Sequence, residues 1–245
     1  PRDQVAEPQR AIKGLLQTAL KPVGSTMYIW GGGWDAADAA AGPDAVTIGI
    51  SPLWKKFFSK QSAGYDYRVT RWQSRNGLDC SGYVGWVIYN TFNKKSGNSG
   101  YVMAAQIMAQ RFAGKGWGVY TPAYSVKDFR AGDIMSTSSG HVYIVLGQCS
   151  DGSVVLLHSS PPGVQITGTC SNKGNTNSYA VQLATKYMKK FYPQWYKKYP
   201  DSSRGSSYLT QYSRMRWNLS GSCMLTDPEG YADMNAKQVL EALFS

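Results

Sequence analysis

The chain changes period along its length, and each change marks an element. Ile12, Leu15, Leu16 and Leu20 recur at helical spacing and predict a helix over residues 5–20, ended by Lys21-Pro22. A short apolar run, Met27 to Trp30, then meets three glycines, Gly31 to Gly33. With no Gly-Lys-Ser/Thr and no helix opening on Gly-x-Gly-x-x-Gly, the triplet predicts a tight turn or a close backbone approach, not a phosphate cradle. Val84, Val87, Ile88, Thr91 and Phe92 predict a helix behind Asp79, a good N-cap. Gly82 and Gly85 weaken that helix, which fits close packing on something flat such as a sheet. Residues 101–112 read as another helix, and 119–130 as loop with a short helix. From Gly132 the period falls to two. Strands are expected at 132–135, 141–146, 154–158 and 164–167, with a hairpin turn at Ser150-Asp151-Gly152-Ser153. Residues 178–199 look helical at first and then turn aromatic and basic, 214–219 alternate as a last strand, and Asp227-Pro228-Glu229 signals a final helix start.

Two stretches resist this scheme. Residues 34–75 look like an insertion holding a short basic helix from Pro52 to Lys60 and a tyrosine-rich run around Tyr65 to Arg68. A loop this long is a lid, one wall of a cleft, or decoration. As a cleft wall, its removal would alter substrate range more than stability. Phe191 to Tyr199 interleaves lysines with aromatics and reads as a solvated, partly packed surface segment in preference to a sugar grip.

At 245 residues the chain suits one domain over 1–245, with the insertion at 34–75 and a C-terminal extension at 169–245. A net charge of +11 suits an anionic partner: nucleic acid, a membrane surface or an acidic wall polymer. No RNP-like, zinc-finger or helix-turn-helix pattern supports nucleic acid. No run of about 18 apolar residues supports a membrane span. The chain opens on Pro1 with no signal peptide, which reads as a trimmed, mature form. The four cysteines, Cys80, Cys149, Cys170 and Cys223, lack Cys-x-x-Cys spacing, so neither metal nor cofactor enters the reading.

The candidate chemistry lies at Asp79-Cys80-Ser81-Gly82-Tyr83. A thiol on the first turn of a helix meets unsatisfied N–H groups and the positive end of the macrodipole, which favour a thiolate; a buried, inert cysteine is the alternative. The chain has only two histidines, His141 and His158, both on strand-like segments. A two-residue Asp151-Gly152 turn makes paired residue numbers sum to 303, which sets His158 opposite Val145 and on the same face as His141. The two remain four residues, or about 13 Å, apart. A bulge or asymmetric loop between Gly147 and Ser150 is therefore expected to bring them together. His141 would take the Cys80 proton, His158 would hold the His141 tautomer, and N–H groups at the helix start, with Tyr28, would hold an oxyanion.

Five blocks resemble the NlpC family of papain-like cell-wall cysteine peptidases. They are Tyr28-Ile29-Trp30-Gly31-Gly32, Asp79-Cys80-Ser81-Gly82-Tyr83, Arg130-Ala131-Gly132-Asp133-Ile134, the run from Gly140 to Gly147, and Leu157-His158-Ser159-Ser160-Pro161. The resemblance covers roughly residues 25–33 and 77–168. It implies an α+β, papain-like fold with a central antiparallel sheet packed against helices and the nucleophile at a helix N-terminus. It also implies a Cys80–His141–His158 triad, a cleft lined by Tyr28, Asp79 and Ser81, and hydrolysis of peptidoglycan stem peptides between D-glutamate and a diamino acid. By this reading the protein is a monomer, secreted or at the cell surface, acting on peptidoglycan or its fragments. An amidase or acyltransferase on the same fold, and a non-catalytic wall-binding module, are the competing readings. A disulfide at Cys80 would favour the last.

Overall fold

The computed structural model of the chain describes residues 10–36 and 39–245. In order, these form α1 (Ile12–Leu20), β1 (Met27–Tyr28), α2 (Pro52–Ser59), β2 (Gly77–Leu78), α3 (Cys80–Phe92), α4 (Met108–Gly114) and β3 (Gly118–Thr121). Then come β4 (Ile134–Thr137), β5 (His141–Gln148), β6 (Val154–Ser160) and β7 (Gly163–Thr169). The chain ends with α5 (Tyr179–Phe191), α6 (Pro193–Lys198), β8 (Ser203–Arg204), α7 (Ser207–Thr210), β9 (Ser213–Trp217) and α8 (Ala236–Leu243). The architecture is mixed α and β. One sheet runs in the order β2-β1-β7-β6-β5-β4-β9-β3, with β8 beside β7. Its centre, β4 to β7, is antiparallel as expected, but β1 with β2 and β7 with β8 pair in parallel.

The sheet has two unequal faces. Val142, Ile144, Leu146, Val155 and Leu157 point into the main core with α1, α3, α4 and α8. Met135, Tyr143, Val145, Val154 and Leu156 form a smaller cluster on the opposite face, closed by Tyr212. The region after residue 169 is woven into the sheet, because β9 lies between β4 and β3.

Several expected elements move, each for a visible reason. The first helix begins at Ile12. Arg10 and Ala11 are held extended by Thr226, whose N–H donates to the Arg10 carbonyl at 2.8 Å and whose carbonyl accepts from Ile12 N–H at 3.0 Å. The rest of that expected helix, residues 5–9, lies outside the described residues. The helix expected from 101 starts with a 3-10 turn at Ala105–Ile107, since Val102 turns inward against Trp34 and Ala45. Residues 119–121, expected as loop, belong to the edge strand β3, which among the described residues pairs only with the distant β9. Asp227-Pro228 does not start the last helix. The Asp227 carboxylate accepts from the N–H groups of Tyr231 and Ala232 and caps a single 3-10 turn. α8 instead starts at a capping box between Asn235 and Gln238.

Residues 34–75, read as an insertion, are packed into the core. Trp54 and Phe58 of α2 are buried, with Trp54 edge-on to Trp86 at 5.7 Å and Phe58 stacked on Trp195 at 5.4 Å. Losing either ring costs about 3–5 kcal/mol, so removing the segment would cost stability as well as a cleft wall. The 191–199 stretch is a partly packed surface segment, as expected, with Phe191, Pro193, Gln194 and Lys197 exposed and Trp195 and Tyr199 as its anchors. Trp195 is fully buried, and Lys198 Nζ donates to the carbonyls of Phe58 (3.4 Å) and Gln61 (2.6 Å).

Candidate active site

The glycine turn seats the start of α3. Gly31 and Gly33 adopt φ of +86° and +91°, where a side chain is strained. Gly82 lies so close to the Gly32 carbonyl that a Cβ would overlap it. A Cβ on Gly85 would meet the Val102 side chain first and then its backbone N. The close approaches that these helix glycines permit are therefore to a turn and a loop, not to the sheet. Asp79 N–H donates to the Gly32 carbonyl at 3.0 Å. The Asp79 carboxylate caps the helix, accepting from Gly82 N–H (2.7 Å), Ser81 Oγ (3.0 Å) and Gly31 N–H (3.3 Å). Ser81 Oγ in turn accepts from Trp34 Nε1 at 3.2 Å. Asp79 and Ser81 line the cleft, yet their polar atoms are committed within the protein. Burial pushes the Asp79 carboxyl up to about 6 despite these donors.

Cys80 is the first residue of α3 and is buried. Its thiol donates to the Gly140 carbonyl at 3.8 Å. The backbone N–H groups of Val142, Ser81 and Cys80 face the sulfur and favour its anion. The sulfur thus sits against the backbone on both sides of His141. Burial first, then the Asp79 charge, raise the thiol to about 12, outweighing the helix start. All four cysteines are free thiols.

The two histidines meet because the β5–β6 hairpin slips twice. Its turn runs from Cys149 to Ser153, with Cys149 N–H donating to the Ser153 carbonyl, so Gln148 pairs Val154 and Gly147 pairs Val155. That odd-length turn alone would throw His158 to the wrong face. A bulge between Val145 and Gly147 restores the face, pairing Val145 with Leu156 and Ile144 with Leu157. His158 then lies opposite Tyr143, two residues from His141 where the simple register left four. The remaining offset is spanned by the rings themselves, with His141 Nε2 and His158 Nδ1 at 2.9 Å. His158 Nε2 lies 3.3 Å from Thr167 Oγ1.

With a proton on Nε2, His141 donates to His158 Nδ1 and leaves its own Nδ1 free to accept. His158 then keeps its proton on Nε2, donating to Thr167. Burial, followed by the Arg204 charge, lowers His141 to about 3 and His158 well below the usual imidazole range. At rest, thiol and imidazoles are neutral.

Several contributors come from regions with no motif. Tyr208 lies 5.7 Å from the His141 ring and 5.9 Å from His158, and stacks with Tyr212 at 5.2 Å. Their i, i+4 spacing was the one available signal; Tyr208 lies on α7 and Tyr212 just beyond it, and both rings stand edge-on to His141. In front of Cys80 lies a cleft of about 400 Å³ lined by Tyr28, Trp30, Trp34, Trp72 and Gln106, among others. Tyr28 is buried and edge-on to Tyr67 at 5.3 Å; burial, then the Cys80 charge, raise its phenol above the usual range. Trp34 and Trp72 come from the 34–75 segment, which therefore does wall the cleft.

Among the described residues no three His, Cys, Asp or Glu side chains converge as metal ligands, and no helix is long and apolar enough to cross a membrane. Comparison of the chain with models of protein families, with curated proteins and with solved structures gives no match.

Proposed function

We propose that the protein is a papain-like cysteine peptidase of the NlpC type that hydrolyses amide bonds in peptidoglycan stem peptides. The observation that carries this reading is the 2.9 Å contact between His141 Nε2 and His158 Nδ1, at the strand end against which the Cys80 sulfur rests. A pair of structural histidines has no need of a twice-slipped hairpin that ends beside a thiol at a helix start.

In the proposed reaction His141 Nδ1 takes the Cys80 proton as the sulfur attacks the amide carbon. Neutral resting groups mean that the nucleophile forms during attack and is not stored as an ion pair. The carbonyl oxygen becomes an oxyanion facing N–H groups at the α3 start and the Tyr28 hydroxyl. The imidazolium is steadied by His158, which accepts from Nε2, and by the Thr167 hydroxyl behind it. His141 then protonates the leaving amine, the C–N bond breaks, and water hydrolyses the thioester. Asp79 and Ser81 position the helix start. The charge of +11 favours residence on an anionic wall polymer, and with it a place outside the membrane.

The test is mass spectrometry of peptidoglycan fragments incubated with the protein and with Cys80→Ala. New termini inside the stem peptide, absent with Cys80→Ala, support an endopeptidase and identify the bond. Cutting at the sugar–lactyl junction instead marks an amidase.

A further inference from the structure

The segment between Tyr65 and Arg75 carries three arginines with different fates. Arg68 pairs with Asp66 at 2.8 Å, and Arg75 pairs with Asp44 at 2.8 Å. Among the described residues no carboxylate pairs with Arg71. Its guanidinium lies 4.8 Å over the ring of Trp30, a cleft residue, and close enough to Tyr28 for its charge to act on the phenol.

The backbone holds this arginine in place. Tyr65 Oη donates to the Tyr28 carbonyl at 2.6 Å and lies 2.7 Å from Thr70 Oγ1, pinning the loop to the strand that leads into the glycine turn. Trp72 N–H donates to the Trp30 carbonyl at 2.8 Å. Trp72 itself sits at φ +64°, a conformation a bulky residue rarely adopts, with its ring where a Cβ on Gly31 would be. That strained turn carries Arg71 over Trp30, beside the Cys80 cleft. The cleft's own carboxylate, Asp79, is saturated by Gly82, Ser81 and Gly31.

We propose that Arg71 is a specificity-determining residue that binds a carboxylate on the substrate beside the scissile amide, so that the cleft selects acidic peptides. A guanidinium stacked on an indole loses little freedom when it binds, and its planar edge can take a carboxylate with two parallel hydrogen bonds. The proposal rests on the peptidase reading above for the identity of the cleft.

The test separates the two claims by measuring binding apart from turnover. The Cys80→Ala protein is titrated calorimetrically with an L-alanyl-γ-D-glutamyl-diamino acid peptide and with the same peptide whose glutamyl α-carboxylate is an amide. The carboxylate form should bind about tenfold tighter or more, the scale of a charge-assisted pair. Arg71→Gln in the same background should abolish the preference while leaving affinity for the amide form unchanged, which also reports an intact cleft. Arg71→Lys, with charge but no fork, should restore part of it. Equal affinities in the parent, a preference that survives Arg71→Gln, or binding of neither peptide would overturn the proposal. Cys80-dependent cleavage without a carboxylate preference removes the role of Arg71 alone. A preference without cleavage keeps that role and removes the peptidase.

Discussion

Asp79→Asn tests whether a buried cap is held at a cost. Asparagine caps a helix as well as aspartate does, and its carbonyl oxygen can keep the Gly82 and Ser81 bonds. It loses only an acceptor for Gly31 N–H, worth about 1 kcal/mol at 3.3 Å. The charge matters more. The Asp79 carboxyl rises from the ordinary 3.8 to about 6 on folding, because burial outweighs its donors. An acid whose pKa is higher in the folded state favours folding below the unfolded value and loses that contribution as pH rises through the folded one. The loss amounts to ~3 kcal/mol, most of it between pH 4 and 6.5. All other titrating groups are shared by the two proteins, so their difference isolates residue 79. Urea unfolding followed by tryptophan fluorescence should show the difference moving toward Asn by about 2 kcal/mol between pH 4 and 7. A constant difference, or Asp gaining on Asn as pH rises, would mean that the carboxylate is an ordinary favourable cap and that the burial argument is wrong.

Three further outcomes follow from the same geometry. Alkylation of Cys80 by iodoacetamide, read by peptide mapping, should climb steadily from pH 7 to 10, since the thiol is raised to about 12; a rate already level between pH 5 and 8 would indicate a stored thiolate. His158→Leu should leave circular dichroism unchanged but lower kcat by on the order of 100-fold with little change in KM, because the His141 tautomer is no longer held; a drop of less than about threefold would remove His158 from the relay. Gly82→Ala gains up to about 1 kcal/mol of helix propensity but drives a methyl into the Gly32 carbonyl, at a cost of about 1–3 kcal/mol. Its Tm should fall by several degrees, and an unchanged or raised Tm would mean that the glycine turn yields easily.

The parts of the site that could be read from the chain are those set by short-range chemistry. Asp79 as a cap, the glycine triplet as a close approach, and the need for an irregularity near Gly147 each depend on a few neighbouring residues. Alternation placed β5, β6 and β7, and it was counting residues through the turn that exposed the conflict resolved by the bulge. What was hidden depends on distant partners. β3 is a strand only because β9 lies beside it, nearly a hundred residues later. The first helix is cut short by Thr226, near the other end of the chain. Tyr208 and Arg204 reach the histidines because β8 pairs with β7. Asp227-Pro228 misled because a carboxylate caps a single 3-10 turn with the same bonds it would offer a longer helix. The deep anchoring of residues 34–75 could not be seen, because Trp54 and Phe58 find their partners on α3 and α6.

The most direct test of the central claim is the mass of the protein itself during turnover. Wild-type protein is mixed with stem peptide and quenched in acid within milliseconds to seconds, and the intact mass is read, followed by the modified peptide. The account predicts an added mass equal to the acyl half of the substrate, located on Cys80, appearing before free acid product and absent in Cys80→Ala. Cleavage that proceeds with Cys80→Ala at the wild-type rate, with no adduct on the sulfur, would contradict it.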